Sequence, residues 1–559
     1  FPGKIASSLR GRAFLRKKRL LANRICCAIM LSGLLLAAPP AVAAPQQPDS
    51  GQILRDTQQT ERTIPKQSQA QVDIKEEVRP PLTDNTGQHV LVDKFRITGQ
   101  NIVPIDQLEQ LVATYTKKEQ TLAGMQQAAN AITRQLRSKG FPLAQAYIPA
   151  QDITGGVVEI AVLIGRVGEV TIKNSSTIHE QAIRQQLIAM QPGDYITQAK
   201  LERAALLANE LSGVEAKMTL TPGKTTGLTN VILTVQQKGG KISGSTSLNN
   251  WGNRFTGSWQ LNNTINFANL SQRGDNAFLA LTTTGENLVS GNVNYQMPLW
   301  EGGKLNVGYS QMRYELGEEM ADRQGTGTAY TTHADITYMV NRSRNTNLNM
   351  MIGYDKKRLD DQDRFDSSNK NSRVFSFGLS GDSNDTWGGG GIVAYSLTRY
   401  QGNLSGSSGL YTLPTGNWDK TTYSLMRMQN ITDRLSLFLS LNGQKAGKNL
   451  DTSERFSLGG ATGVRAYPLG EASGDEAWML NSELRWLLPK KIGKGSIQLI
   501  AFYDTGTSHI EKNPVKPESN RRSISGAGLG INYAVPNDYY VKAHYAWKTG
   551  SEAAKSDTD

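Results

Sequence analysis

The sequence predicts two successive α+β repeats followed by an all-β transmembrane barrel, and three observations carry that prediction. Residues 90–238 run through one order of elements twice. From Lys241 onward apolar residues recur at every second position, the period of a strand whose two faces meet different surroundings. The segments between these stretches alternate between long and short, as outer loops and inner turns do in a barrel that crosses a bilayer.

Composition agrees with this class. Only 38% of the 559 residues are hydrophobic and 55 are Gly, with a mean hydropathy of −0.43. Beyond the N-terminal region no apolar run reaches the ~20 residues of a membrane helix. A barrel spreads its apolar residues over alternate positions and leaves this composition.

The chain opens on a secretory signal, residues 1–43. Arg16, Lys17, Lys18, Arg19 and Arg24 precede an apolar run over 25–38 that ends in Ala41-Val42-Ala43. Its removal takes away eight basic residues and no acidic one, lowering the net charge from +12 to +4. The basic balance is thus a targeting feature and argues little for a nucleic-acid partner. Cys26 and Cys27 leave with it, so the exported chain needs no disulfide in an oxidising compartment.

Residues 45–66 are polar and Gln-rich. Ile53, Leu54 and Ile64 are too sparse to bind a helix to an apolar core, whereas Arg55, Asp56, Glu61 and Arg62 suit a water-lined place. Composition alone favours an unstructured tail. A linker, 67–89, with Pro80-Pro81 follows.

The first repeat, 90–166, reads as a strand at 90–97, helices at 105–114 and 122–138, then two strands. The second, 167–238, reads as a strand at 170–173, helices at 178–190 and 197–211, and strands at 216–220 and 229–235. Exposed strand edges in such units could accept an extended chain.

The barrel occupies 241–559. Leu435, Leu437, Leu439 and Leu441 stand against Ser436, Phe438, Ser440 and Asn442, and Val289, Val293 and Tyr295 against Ser290, Asn292 and Asn294. Fifteen strands can be counted, with the long connections at 316–326, 358–370, 403–417, 447–476 and 508–521. Bacterial single-chain barrels have even strand numbers. Either a closing strand is missing from this chain, or the count is off by one.

Two stretches are candidates for a functional site. Residues 457–478 form a Gly-rich segment without strand or helix period, and it carries Arg465. Residues 497–506 alternate cleanly, so that Gln498, Phe502, Asp504 and Gly506 share the polar face. Together they predict that Arg465, on a loop that folds into the lumen, pairs with Asp504. On the preceding strand Trp478, Leu480, Leu484 and Trp486 would face lipid, and Asn481, Glu483 and Arg485 the lumen.

These residues carry a resemblance. The V-R-A-Y of 464–467 and the F-x-D-x-G of 502–506 are similar to paired signatures of the two-partner secretion transporters, the haemolysin secretion/activation (ShlB/FhaC/HecB-like) family. The run K-G-F-P-L-A-Q-A-Y-I-P at 139–149 resembles that family's first polypeptide-transport-associated (POTRA) repeat. Ala466 departs from the Gly common there. The resemblance implies two POTRA domains before a sixteen-stranded barrel in the outer membrane of a Gram-negative bacterium, with the repeats in the periplasm. It implies a helix within 45–66 that plugs the pore, and a loop latch of Val464, Arg465, Tyr467, Phe502, Asp504 and Gly506, with Glu483 and Arg485 beside it. It places a cargo-binding region at Gly140, Phe141, Pro142, Tyr147 and Pro149. The partners implied are a large secreted haemolysin or adhesin, outer-membrane lipid and the barrel assembly machinery, for a monomeric transporter without cofactor that exports and could also activate its cargo.

An enzyme is not expected. There is no G-x-S-x-G, H-E-x-x-H or P-loop, and the five histidines are scattered. The competing readings are an outer-membrane protein insertase of the same superfamily, which usually carries more repeats, and a passive porin, which should carry none.

Overall fold

The structure is a computed structural model of the chain and describes residues 47–58, 71–74, 89–285, 287–409, 412–514 and 520–557. The signal segment, and the parts of 45–66 and 67–89 outside those ranges, lie beyond the described residues.

Helix α1 (Ser50–Thr57) comes first, then a short strand β1 (Gln71–Ile74) inside the stretch expected to be a plain linker. The first repeat contains β2 (Val90–Val92), β3 (Lys94–Thr98), α2 (Ile105–Val112), β4 (Lys118–Gln120), α3 (Leu122–Ser138), β5 (Gln145–Tyr147) and β6 (Val157–Leu163). Its main sheet has the order β3-β6-β5, with a separate β2-β4 ribbon. The run expected as one strand at 90–97 is therefore two. Asp93 and Lys94 both donate their amides to the Gly156 carbonyl there, and β3 leaves the ribbon to join β6. Thr121 caps α3 by accepting from the Gly124 amide at 3.2 Å. Met125, Ala128, Ala129, Ile132 and Leu136 then recur with helical spacing and bury one face in the core.

The second repeat contains β7 (Arg166–Asn174), α4 (Glu180–Gln185), α5 (Gln198–Asn209), β8 (Val214–Pro222) and β9 (Leu228–Gln237). Its sheet order is β1-β8-β9-β7, so β1 closes one edge by running parallel to β8. Two residues separate β6 from β7, and the joint is reinforced: Ile196 donates to the Gly165 carbonyl at 2.9 Å.

Fifteen antiparallel strands follow in one sheet, each paired with its neighbour in sequence. They are β10 (Ile242–Asn249), β11 (Gln260–Ala268), β12 (Asn276–Thr283), β13 (Leu288–Trp300), β14 (Gly303–Glu315), β15 (Thr326–Arg342), β16 (Thr346–Gln362), β17 (Ser367–Asp385), β18 (Gly391–Ser408), β19 (Gly416–Asn430), β20 (Leu435–Ala446), β21 (Glu476–Leu487), β22 (Ser496–His509), β23 (Arg521–Ala534) and β24 (Tyr540–Lys548). Antiparallel neighbours joined by short turns are what a membrane barrel requires, because no backbone polar group can face lipid unpaired. The outward face is apolar, with Val289, Val293, Leu397, Leu425 and Leu529 all exposed. Trp300, Trp387, Trp486 and Tyr540 sit at one end of that band, and Trp478 and Trp547 at the other, like interfacial girdles.

Two expected long connections are much shorter. The 358–370 loop shrinks to 363–366 and the 403–417 loop to 409–415, because β16 to β19 continue. At nineteen residues, β17 exceeds the ~9–11 needed to cross a bilayer. Backbone pairing goes on through Asp360, Asn369 and Ser407, since polar side chains above the lipid do not interrupt a ladder.

The second repeat grips the rim of the sheet at the turns opposite the long loops. Glu210 pairs with Lys304 at 2.8 Å and Arg342 at 2.5 Å, and Arg203 with Glu301 at 2.8 Å. The amides of His179 and Ser212 donate to the carbonyls of Gln272 and Gly274. This joint puts the repeats and the long loops at opposite ends.

Candidate functional site

The site lies inside the barrel, where the loop 447–475 and helix α1 meet the wall. The loop's own hydrogen bonds give it shape before it touches the strands. Val464 donates to the Leu458 carbonyl at 2.7 Å, Gly460 to that of Tyr467 at 3.1 Å, and Phe456 and Gly474 bond reciprocally. Gly460 has φ 108°, a conformation a side chain would resist. Leu458, Val464 and Tyr467 of this hairpin pack on Met479 and Ile524 of the wall.

That seat aims Arg465 at β21 and β22. Its Nε and Nη2 donate to the two carboxylate oxygens of Asp504, each at 2.8 Å, and its backbone amide adds a third bond at 3.2 Å. Its Nη1 donates to Glu483 at 2.7 Å. The guanidinium carbon lies 3.5 Å from the Phe502 ring centroid, stacked on the aromatic face. Asp504 is fully buried and accepts also from Asn481 at 2.9 Å. Arg485 donates to the other oxygen of Glu483 at 2.7 Å. Gly506 leaves room for the loop: a Cβ there would stand 2.8 Å from the Trp478 carbonyl and 2.9 Å from Leu458. Gly526 does the same for Ala466, whose methyl would lie 2.4 Å from a Cβ at 526. The Tyr467 hydroxyl donates to the Glu552 carbonyl at 2.9 Å. The lumen face of β22 is less polar than expected, since Ile500 and Phe502 are buried on it beside Asp504.

Helix α1 fills the lumen beside the loop. Asp49 caps it by accepting from the Gln52 amide at 2.8 Å. Eight residues make a marginal helix alone, and the wall holds this one. Ile53 and Leu54, expected to be too sparse for an apolar seat, are buried against Phe255, Leu288, Met312, Leu316, Ala329 and Leu359. The lumen has an apolar patch on this side, and alternation of the strands hides it among polar neighbours. Ser50 donates its amide and hydroxyl to Asp361, at 2.7 and 2.8 Å. Arg55 donates to the Thr452 carbonyl and to Ser473, both at 2.9 Å, which ties α1 to the loop. Gly51 allows that approach, because a Cβ there would stand 2.8 Å from the Ser453 amide nitrogen.

Sequence reasoning missed a second set of charges. Buried Lys370 binds Asp49 of the α1 cap at 2.8 Å and Asp451 of the loop at 3.1 Å. Glu454 of the loop accepts from Lys357 at 2.7 Å and pairs with Lys420 at 2.8 Å. Burial alone would raise the Glu454 carboxyl, but Lys357 and Lys420 outweigh it and hold the group down at about 2.

In the repeats the five candidate residues divide. Gly140 accepts from the Gln198 amide at 2.9 Å, and Phe141 meets Tyr195 edge to face at 6.3 Å, so both belong to the joint between repeats. Tyr147 ends β5, an edge strand, with Pro142 and Pro149 in the segments flanking it.

Comparison with known proteins follows this geometry. The model of the "Haemolysin secretion/activation protein ShlB/FhaC/HecB" family matches residues 227–533, and that of the "POTRA domain, ShlB-type" matches 90–165. The chain is 25% identical over 527 residues to the heme/hemopexin transporter protein HuxB of Haemophilus influenzae, covering 90% of this chain and 92% of that one. It is 24% identical over 504 residues to the outer membrane transporter CdiB of Dickeya dadantii, covering 86% and 88%. The solved structure of CdiB from Escherichia coli shares the fold with a TM-score of 0.69 at 18% identity, over 98% of this chain and 96% of that one. The chain therefore belongs to the ShlB/FhaC/HecB haemolysin secretion/activation family, outer-membrane two-partner secretion transporters with periplasmic POTRA repeats.

Proposed function

We propose that the cargo is one large secreted protein of the haemolysin or adhesin class, captured unfolded by the periplasmic repeats and threaded through the part of the lumen that α1 now fills. The family description, a haemolysin secretion/activation protein, supports a protein cargo over a small solute. One observation carries the reading: among the described residues every hydrogen bond between α1 and its surroundings involves a side chain on one partner, with no backbone-to-backbone ladder to the wall. A plug so held can leave without opening the sheet, and the Arg465–Asp504 pair acts as the latch that keeps the loop seated. Cargo folding outside the cell supplies the pull, with no nucleotide hydrolysis and no catalytic step. The transporter works as a monomer inserted in lipid by the barrel assembly machinery.

Two deletions test this reading. A chain lacking residues 45–66 should conduct ions severalfold better in planar bilayers, and unchanged conductance removes the plug. A chain lacking 90–166 should no longer retain the unfolded partner in a pull-down; a partner still retained refutes capture by the first repeat.

A further inference from the structure

Where the second repeat meets the outer wall of the barrel, a cavity of about 430 Å³ is left between them. Its floor includes Met297 and Leu299, at the end of β13. Its roof includes His179, Gln181 and Gln185 of the second repeat, and Arg273 reaches in from the turn between β11 and β12. Met297 has the parity of the exposed Val289 and Val293, so this floor continues the lipid-facing side of β13. Trp300, beside Leu299, and Leu270, in the turn, are both exposed there. The cavity therefore lies at the boundary of the hydrocarbon, in the leaflet nearest the repeats.

The turn that carries Arg273 is firmly held. Asp275, wholly buried, accepts from the Ser271 amide at 3.0 Å, the Ser271 hydroxyl at 2.7 Å and the Arg273 amide at 3.4 Å. The Gln272 carbonyl accepts the His179 amide at 2.8 Å, and Asn269 donates to the Thr177 hydroxyl at 2.9 Å. With its backbone fixed in this way, Arg273 keeps an exposed guanidinium that has no hydrogen-bond or ion-pair partner among the described residues. The other basic residues of this joint differ, since Arg203, Lys304 and Arg342 are each paired with Glu301 or Glu210. Among the described residues no carboxylate lines the cavity.

We propose that this cavity receives an anionic phospholipid of the periplasmic leaflet, with its phosphate on Arg273 and an acyl chain over Met297. A guanidinium meets a phosphate through two parallel hydrogen bonds, and the low dielectric at the edge of the bilayer strengthens them. The amides of Gln181 and Gln185 offer donors and acceptors to the hydroxyls of a glycerol headgroup. An ammonium headgroup finds no carboxylate here, so a zwitterionic lipid carries an unpaired charge into the site where phosphatidylglycerol does not. A small inorganic anion satisfies Arg273 but leaves Met297 and Leu299 uncovered. The bound lipid fastens the second repeat to the bilayer as well as to the rim of the barrel.

Residues 44–559 contain no cysteine, so a bimane on Glu180→Cys, exposed and next to His179, reports on this place alone. In detergent micelles, phosphatidylglycerol carrying a nitroxide high on one acyl chain should quench this bimane saturably. Unlabelled dioctanoyl phosphatidylglycerol should reverse the quenching. Arg273→Glu should weaken binding at least tenfold, and Arg273→Lys should retain most of it. Lys490→Glu, a charge reversal in the exposed turn between β21 and β22 at the same end of the barrel, should leave it unchanged. Quenching unaltered by Arg273→Glu, or weakened equally by Lys490→Glu, overturns the site. Reversal by dioctanoyl phosphatidylcholine as complete as by the anionic lipid overturns the headgroup assignment. Equal reversal by inorganic phosphate alone shows a bare anion site and overturns the lipid. The assay needs no translocation, so it stands or falls separately from the export reading.

Discussion

Helix α1 and the loop occupy one lumen and are both held by charge, yet the charges are arranged differently. When α1 is taken away, each wall group it touches keeps another partner. Lys370 retains Asp451 at 3.1 Å, Asp361 retains the Tyr314 hydroxyl at 2.9 Å, and Arg55 carries its own Asp56 with it. When the loop is taken away, Asp504 loses its guanidinium, and Lys357 and Lys420 both lose Glu454. A buried charge left without its partner is far more costly than a lost neutral hydrogen bond. The difference predicts an order of release, with the helix as the removable part and the loop as the resident one.

The sharpest way to break that contrast is at Arg465. Arg465→Ala leaves the fully buried Asp504 without a cation, holding only the Asn481 side chain and the backbone amide of residue 465, at a cost of about 3–5 kcal/mol to the seated loop. Export should fall at least tenfold while the barrel still reaches the membrane, and undiminished secretion would count against the latch. Next comes acid. The Glu454 carboxyl is held at about 2, below its ordinary value of 4.5, so the stabilisation it gives is complete above that ordinary value and is lost as pH falls through 2. Linkage puts this at about 3 kcal/mol. Protection of the loop from protease should decline between pH 4.5 and 2, and Glu454→Gln should remove that dependence.

Smaller effects separate the plug from the loop. Lys370→Met takes the cation from both Asp451 and Asp49, which keep only neutral donors, and should cost about 2 kcal/mol. It acts on both inserts, so channel openings and loop proteolysis should rise together. Arg55→Ala removes the bonds from α1 to Thr452, Arg455 and Ser473 together with the pair that Arg55 makes with Asp56 inside α1, and leaves the loop's own wall pairs in place. At about 1 kcal/mol it should raise the frequency of channel opening a few-fold and leave loop proteolysis unchanged. Equal effects on both readouts would contradict the separation.

The legibility of these parts follows from their physics. Period-two alternation made the barrel visible, because every strand faces lipid on one side. Arg465 and Asp504 could be named because a lone arginine in a Gly-rich loop and a carboxylate on a strand's polar face invite pairing. Lys370, Asp451 and Glu454 were not legible, since a charged residue on a lumen face looks the same whether it meets water or a partner. Ile53 and Leu54 were misjudged for a related reason: their apolar seat is assembled from β13 to β16, no one of which announces it. β1 escaped because four alternating residues in a polar stretch carry no signal until β8 is beside them.

Cysteine reactivity tests the order of release most directly, since residues 44–559 contain no native cysteine. Ile53→Cys on the plug and Val464→Cys on the loop are placed at positions now almost wholly buried. In cells exporting the partner, a membrane-impermeant maleimide given access to the periplasm should label Ile53→Cys and spare Val464→Cys. Labelling of Val464→Cys at an equal or faster rate would show that the loop leaves with the plug, and the account of a resident loop would fail.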